Sequence, residues 1–334
     1  MATGGRPMIA SVQTHGIAIQ ANKLVREFNG VTAVDGVDFE INEGEIYGFL
    51  GPNGAGKTTT VRMLCTLLAP TGGEAIVAGY NVVDNPGAVR LRIGVALQEA
   101  SLDPKQTGEE LLRLQGRLYG LSKSVARSRA AELAELIDLG DALGRPIATY
   151  SGGMKRRLDL AAALVHNPGI LFLDEPTTGL DPVSRAAVWQ EVGRLNREFG
   201  VTIFLTTQYL EEADALADRV GIIDAGRIVA EGTPTELKRS IGTDVIIVRV
   251  DGDAARAAPA VERVAGVIQV EARGHELVIS TTDGPATVSA VAVALSTSGT
   301  TVRDLTLRSP TLDDVFLELT GARIHHDDDQ EVAK

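Results

Sequence analysis

Residues 51–58 read Gly-Pro-Asn-Gly-Ala-Gly-Lys-Thr and match the pattern G-x-x-x-x-G-K-[S/T] at every fixed position. Glycines in such a loop let successive backbone N–H groups point inward around phosphate oxygens. The Lys57 ammonium can reach the β- and γ-phosphates, and the Thr58 hydroxyl can bind Mg²⁺. The residues predicted to contact a nucleoside triphosphate here are Asn53, Gly54, Ala55, Gly56, Lys57, Thr58 and Thr59.

The segments on either side of this loop have the character that phosphate binding requires. Residues 45–50 are typical of a buried strand, and residues 59–68 are typical of a helix. The N-terminus of that helix would point its dipole at the phosphates. A glycine-rich turn that binds nothing is the alternative, but it does not explain why the loop and both neighbouring elements agree.

Two adjacent carboxylates follow a second apolar run. Four apolar residues, 170–173, precede Asp174 and Glu175, which predicts a buried strand with both acids at its carboxyl end. Asp174 can then hold Mg²⁺, directly or through a water, and Glu175 can act as the general base for an attacking water. A strand that ends in two solvated acids is the alternative, and the phosphate loop elsewhere in the chain argues against it.

A second anion site is predicted at the start of another helix. Ser151, Gly152 and Gly153 lie where a helical stretch begins that continues to Val165. The free N–H groups of a helix N-terminus, together with a serine hydroxyl, can bind an anion.

The apolar runs predict the elements that must position these groups. Short runs at 93–97, 170–173, 202–205 and 220–223 are separated by helical stretches, which indicates a mainly parallel sheet with helices on its faces. Antiparallel strands are expected at 17–41 and a helical subdomain at about 99–160. The predicted fold class is therefore α/β, of the P-loop nucleoside triphosphatase type, with an antiparallel β subdomain and a helical subdomain.

A smaller α+β domain is predicted after a boundary near 240–242. The pattern from residue 245 to 307 reads strand–helix–strand–strand–helix–strand, the βαββαβ order of a ferredoxin-like unit. The predicted domains are thus 17–240 and 243–320, with a flexible leader at 1–16 and a disordered acidic tail at 321–334.

Composition limits the possible classes of function. The net charge of −12 makes the chain a poor candidate for non-specific nucleic-acid binding. A single cysteine, Cys65, excludes an intramolecular disulfide and suits a reducing compartment. No apolar stretch reaches the roughly 18 residues of a spanning helix, and the N-terminus has no hydrophobic signal region. Any membrane role is therefore expected to come through a partner.

The serine–glycine segment indicates the family that the chain resembles. Residues 150–154, Tyr-Ser-Gly-Gly-Met, are similar to the Ser-Gly-Gly-Gln signature of the ATP-binding cassette (ABC) ATPases. Tyr150 stands where an aliphatic residue is usual, and Met154 stands where glutamine is usual. The resemblance covers about residues 17–240. It implies ATP and Mg²⁺ as ligands, and it implies that the signature caps the γ-phosphate of ATP held by a second copy in a head-to-tail dimer.

Three further positions match the family, and one departs from it. Gln98 matches the glutamine that contacts Mg²⁺ and water, Asp181 lies in the loop that crosses the dimer interface, and Phe28 matches the aromatic residue that stacks on adenine. Their simpler roles are those of a polar loop residue, a turn former and a core phenylalanine. The family usually has a histidine on the γ-phosphate where this chain has Gln208. Gln208 is therefore predicted to be a catalytic residue. Its amide can donate a hydrogen bond to a phosphate oxygen, but it cannot become cationic.

Gln208, the string Leu-Glu-Glu-Ala-Asp at 210–214, the C-terminal unit and residues 309–318 together resemble the ATP-binding subunits of bacterial daunorubicin-resistance exporters. This resemblance implies an ATPase at the cytoplasmic face of the membrane that powers efflux of amphipathic drugs through two separate multi-spanning permease subunits. Lipid or polysaccharide export is the alternative, because the membrane chain selects the cargo. A soluble ABC protein that acts on ribosomes or DNA is a further alternative. The single cassette, the lack of a heptad run and the negative net charge argue against it. The C-terminal unit is expected to serve dimerisation or docking, although its pattern also permits a ligand sensor.

Overall fold

The computed structural model describes residues 16–97 and 102–321. Those residues form two compact units, which divide between Glu231 and Gly232. The expected flexible leader and acidic tail lie, apart from Gly16 and Gly321, outside the described residues, and so does Gln98.

The first unit contains ten strands and seven α-helices within its described residues. The strands are β1 (Ile17–Phe28), β2 (Val31–Asn42), β3 (Ile46–Leu50), β4 (Gly72–Val77), β5 (Tyr80–Asn81), β6 (Ile93–Ala96), β7 (Ile170–Asp174), β8 (Thr202–Thr207), β9 (Arg219–Asp224) and β10 (Arg227–Gly232). The helices are α1 (Lys57–Leu64), α2 (Pro86–Arg90), α3 (Gly108–Leu118), α4 (Lys123–Leu136), α5 (Gly152–Leu164), α6 (Pro182–Phe199) and α7 (Leu210–Leu216).

The central sheet has the strand order β10-β9-β3-β8-β7-β6. Its five strands from β9 to β6 are mutually parallel, which confirms the expected mainly parallel core. β3, β7 and β8 are buried along their whole length, as is usual for strands covered on both faces. Because parallel strands end at the same edge, the residues that follow β3, β7 and β8 come together there.

An antiparallel sheet of order β2-β1-β4-β5 packs beside the central one. Phe39 of β2 joins the two sheets, because its ring centroid lies 5.6 Å from that of Tyr47 on β3 and 5.8 Å from that of Phe204 on β8. Offset and tilted aromatic pairs at such distances stabilise a core beyond their buried area. The phosphate loop after β3 therefore starts from a rigid base.

Helices α3, α4 and α5 form the helical part that the sequence predicts at about 99–160. Helix α3 begins with a capping box, in which Thr107 and Glu110 each bond the backbone N–H of the other. One buried leucine from each helix, Leu112, Leu133 and Leu158, contributes to a shared apolar core. This part fixes helix α5 and thus the serine–glycine segment at its start.

The second unit contains α8 (Pro234–Ile241), β11 (Asp244–Val250), α9 (Ala258–Val261), β12 (Val267–Arg273), β13 (Glu276–Thr281), α10 (Gly284–Thr297), β14 (Val302–Arg308) and α11 (Leu312–Thr320). Its antiparallel sheet has the order β12-β13-β11-β14, which confirms the ferredoxin-like arrangement. Ile246, Ile279 and Val291 are fully buried between the sheet and the helices. The units divide earlier than the predicted boundary near 240–242, because α8 packs against α11.

Candidate nucleotide-binding site

The loop between β3 and α1 has a shape that only glycine permits at two points. Gly56 has a φ of 110°, and a Cβ atom on it would lie 2.6 Å from the carbonyl oxygen of Ala33. A Cβ atom on Gly51 would lie 2.3 Å from the carbonyl oxygen of Ile223. Asn53 and Gly54 are exposed at the tip. The backbone therefore forms an open cradle of the kind that binds phosphate.

Lys57, the first residue of α1, is folded back onto this cradle. Its Nζ donates to the carbonyl oxygens of Gly51 (2.8 Å) and Pro52 (3.1 Å) and lies 3.2 Å from Oε1 of Glu175. Burial lowers the pKa of Lys57, and the charge of Glu175 opposes that shift. The two side chains are 4% and 6% exposed, so the predicted phosphate-binding cation and the predicted base share one buried site.

Asp174, at the end of β7, faces the same helix N-terminus. Its Oδ1 accepts from the Thr58 hydroxyl at 3.3 Å and from the Thr206 hydroxyl at 2.5 Å. Its Oδ2 is buried and has no hydrogen-bond partner in the part of the chain that the structure describes. A buried carboxylate oxygen without a donor is costly, and Mg²⁺ prefers oxygen ligands of this kind. The residues present therefore fit a Mg²⁺ ion held by Asp174 and Thr58.

Glu175 is held in an unusual backbone conformation. Its φ is 48°, which is strained for a residue other than glycine. Its N–H donates to the carbonyl oxygen (3.1 Å) and the hydroxyl (3.0 Å) of Thr206, and its Oε2 accepts from the Thr178 hydroxyl at 3.3 Å. These bonds fix the direction of the carboxylate. Strain of this kind is common at functional sites.

Gln208 lies immediately beyond the end of β8 and is 4% exposed. β8 pairs with β3 in a register that places Thr207 beside Leu50, and the N–H of Gly51 donates to the carbonyl oxygen of Thr207 at 3.3 Å. The structure thus brings Gln208 to the same sheet edge as the phosphate loop.

Phe28 ends β1 and is 39% exposed, so it is not a core phenylalanine. The guanidinium of Arg26 lies 4.4 Å from its ring centroid, which is a cation–π distance. An exposed aromatic ring at a strand end can stack on a base.

Ser151 and Asp181 each cap a helix. The Ser151 hydroxyl accepts from the N–H of Met154 at 3.3 Å, and Ser151 and Gly152 are exposed. Asp181 accepts from the N–H groups of Val183 and Ser184 and from the Ser184 hydroxyl at 2.6 Å, which lowers the pKa of Asp181.

The two caps are neighbours, because a Cβ atom on Gly153 would lie 3.1 Å from Oγ of Ser184. The chain thus brings together Lys57, Thr58, Asp174 and Glu175, and Gln208 lies at the same sheet edge.

Two residues of the site are missing from the sequence-based prediction. Thr206 orients both Asp174 and Glu175, and its place in a Thr-Thr pair at the end of an apolar strand is the only signal for it. Arg156 is 11% exposed and donates to the carbonyl oxygens of Leu97 (2.8 Å) and Pro176 (2.9 Å). Nothing local distinguishes Arg156 from the adjacent Lys155 and Arg157, because its partners come from distant segments.

None of the helices in the described ranges has the length and apolar character that crossing a bilayer requires.

Two family models match the chain. The ABC transporter model matches residues 34–178, and the model of the C-terminal domain of DrrA1-3-like ATP-binding proteins matches residues 232–320. The chain is similar to the daunorubicin/doxorubicin resistance ATP-binding protein DrrA of Streptomyces peucetius, with 48% identity over 91% of this chain and 92% of the relative. It is also similar to the linearmycin resistance ATP-binding protein LnrL of Bacillus subtilis, with 38% identity over 91% and 98% of the two chains.

A solved structure supports the fold of the first unit. A dimeric ATP-binding cassette in a post-hydrolysis state, bound to ADP and Pi, superposes with a TM-score of 0.59 at 26% identity, over 64% of this chain and 98% of that one. The glycine cradle, the Lys57–Glu175 pair and the relatives at 38–48% identity lead to one assignment. The chain belongs to the daunorubicin/doxorubicin-resistance family of ATP-binding proteins, the ATPase subunits of ABC transporters.

Proposed function

We propose that this ATPase powers the export of amphipathic drugs through a separate membrane protein. The relatives named above are resistance proteins for daunorubicin, doxorubicin and linearmycin, and one of them shares 48% identity over 91% of this chain. The observation that carries the ATPase part of the proposal is the buried group of Lys57, Asp174 and Glu175 beside the glycine cradle.

Each residue of that group has a distinct part in hydrolysis. Lys57 exchanges the carbonyl oxygens of the loop for β- and γ-phosphate oxygens, and this exchange releases Glu175 from the ion pair. Glu175 then accepts a proton from the attacking water. Thr58, Asp174 and Gln98 would hold Mg²⁺, and a bound Mg²⁺ would neutralise phosphate charge. Gln208 donates a hydrogen bond to the γ-phosphate from the adjacent strand end, and Phe28 stacks on the adenine.

A second copy of the chain completes the site. The exposed N-terminus of α5, with Ser151, Gly152 and Gly153, caps the γ-phosphate of ATP bound by the facing copy. Asp181, next to this segment, lies in the interface. ATP binds the closed pair preferentially, so that binding and hydrolysis drive a conformational cycle. Two permease subunits receive this motion, and the ATPase works at the cytoplasmic face of the membrane.

The first experiment replaces the proposed base. Glu175→Gln should reduce phosphate release below about one hundredth of the original rate, because general-base catalysis contributes factors of that order. Binding of ATP should persist, because the substitution leaves Lys57 and the phosphate loop free to contact the phosphates. Glu211→Gln is a matched control, since Glu211 is exposed and lies outside the site. Turnover at the original rate by Glu175→Gln would contradict the assignment.

Two further measurements test Gln208 and the cargo. Gln208→His should preserve turnover, because an imidazole can also donate to a phosphate oxygen. Affinity purification of the chain from membranes with ATP and Mg²⁺ should recover a multi-spanning protein. Transport of a daunorubicin-type drug by the recovered complex supports drug export, and transport of lipid or polysaccharide in its place would overturn that part of the proposal.

A further inference from the structure

The carboxylate of Glu212, on α7, is fully buried and forms a cluster of hydrogen bonds beside the segments that carry Glu175 and Gln208. Its Oε1 accepts from the Thr177 hydroxyl at 2.9 Å and from the indole Nε1 of Trp189 at 2.8 Å. Burial raises the pKa of Glu212, and hydrogen bonds from Thr207, Trp189 and Thr177 oppose that shift. These bonds offset part of the cost of burying the carboxylate, since its Oε2 is buried and has no hydrogen-bond partner among the described residues.

The partners of Glu212 lie on the segment that leads to the dimer-facing loop. Thr177 stands between Glu175 and Asp181, and Trp189 is on α6, the helix that Asp181 caps. Glu212 itself follows Gln208 closely, because only Tyr209 separates Gln208 from the start of α7. The carboxylate thus joins the segment that carries Gln208 to the segment that carries Asp181.

A second contact links the same two segments. The guanidinium of Arg185, on α6, lies 4.4 Å from the ring centroid of Tyr209. The N–H of Tyr209 donates to the Thr207 hydroxyl at 2.9 Å, which ties it to the end of β8. The segment that carries Gln208 is therefore linked to α6 at two points, Tyr209 and Glu212.

We propose that Glu212 is a positioning residue, which couples the contact of Gln208 with the γ-phosphate to the placement of the Asp181 loop at the facing copy. The inference rests on the proposed function, because it takes from it the positions of ATP and of the second copy. Glu212 touches no substrate and acts through Thr177 and Trp189. Binding of a γ-phosphate in one site would therefore be sensed at the interface.

Kinetics give the first test. Glu212→Leu removes the hydrogen bonds that Glu212 accepts and should lower kcat about tenfold, with the KM for ATP changed by less than about twofold, because the phosphate loop keeps its contacts. Glu212→Gln should restore most of kcat, since its amide oxygen can accept from Thr177 and Trp189. Glu211→Leu, on the exposed side of α7, is the matched control and should leave both constants unchanged. A Glu212→Leu variant with the original kcat would overturn the inference.

The single tryptophan gives a second test that does not depend on the folding of the Glu212 variants. Trp189 is the only tryptophan of the chain and bonds Glu212 directly, so its fluorescence reports on this link. In the Glu175→Gln variant, ATP but not ADP should change the fluorescence emission of Trp189. The double variant Glu175→Gln, Gln208→Ala should show no such change, although it should still bind radiolabelled ATP. An undiminished change in the Gln208→Ala protein would overturn the inference. Failure of the unaltered chain to hydrolyse ATP would instead contradict the proposed function itself.

Discussion

The carboxyl group of Asp159, on α5, should make the stability of this protein depend on pH. Its side chain is 15% exposed and lies 3.2 Å from Nη1 of Arg156. Burial raises the pKa of Asp159 from 3.8 to about 6, although the charge of Arg156 lowers it. The perturbation that tests this is Asp159→Asn, which keeps the size of the side chain and removes its titration.

The size of the effect follows from the pKa shift. Because the folded pKa is the higher one, the stabilising contribution is fully present below about pH 4 and is lost as the pH rises through about 6. A shift of roughly 2 units corresponds to about 3 kcal/mol, at about 1.4 kcal/mol for each unit. Relative to the Asp159→Asn variant, the original chain should therefore lose about 3 kcal/mol of unfolding free energy between pH 4 and pH 7.

Urea unfolding of both proteins at intervals from pH 4 to pH 8 measures this difference. The difference in unfolding free energy between the two proteins at one pH removes the contribution of the other carboxylates. The change of that difference with pH removes the constant effect of the substitution. Asp138→Asn is the matched control, because its side chain is 99% exposed beside Arg157, and its difference should stay flat. A flat difference for Asp159→Asn, or one in which the original chain gains stability with rising pH, would refute the reasoning.

Three other predictions concern single side chains. Arg156→Met should lower the unfolding free energy by about 3–5 kcal/mol in urea titrations, because it leaves Asp159 buried without its partner, and the exposed Lys155→Met control should not. Phe28→Ala should raise the KM for ATP about tenfold with little change in kcat, as expected for the loss of one stacked base; an unchanged KM would count against the stacking role. The buried thiol of Cys65, whose pKa burial raises well above its ordinary value, should resist a thiol reagent in the native protein and react once per chain in urea. Rapid labelling of the native chain would contradict that burial.

Local patterns in the sequence predicted much of the fold and part of the candidate site. The phosphate loop is predictable because its requirements lie within eight residues, including the glycine conformation now seen at Gly56. The ferredoxin-like unit is predictable for a similar reason, because strand alternation is a local property. Along β13, Leu277 and Ile279 are buried, and Val278 between them is only half-buried. Helix α1 shows where this fails, since it ends at Leu64 and not near residue 68, and Thr66 then adopts a φ of 61°.

The amino-acid sequence by itself determined which residue types could bind a nucleotide and which family the chain resembles. Only the tertiary structure decided that Lys57 pairs with Glu175, that Thr206 orients two acids from another strand, and that Arg156 bonds segments far from it in sequence. The physical reason is that a parallel sheet collects its functional side chains at one edge. Strand order and register set their distances there, and neither is written in any local stretch of the chain.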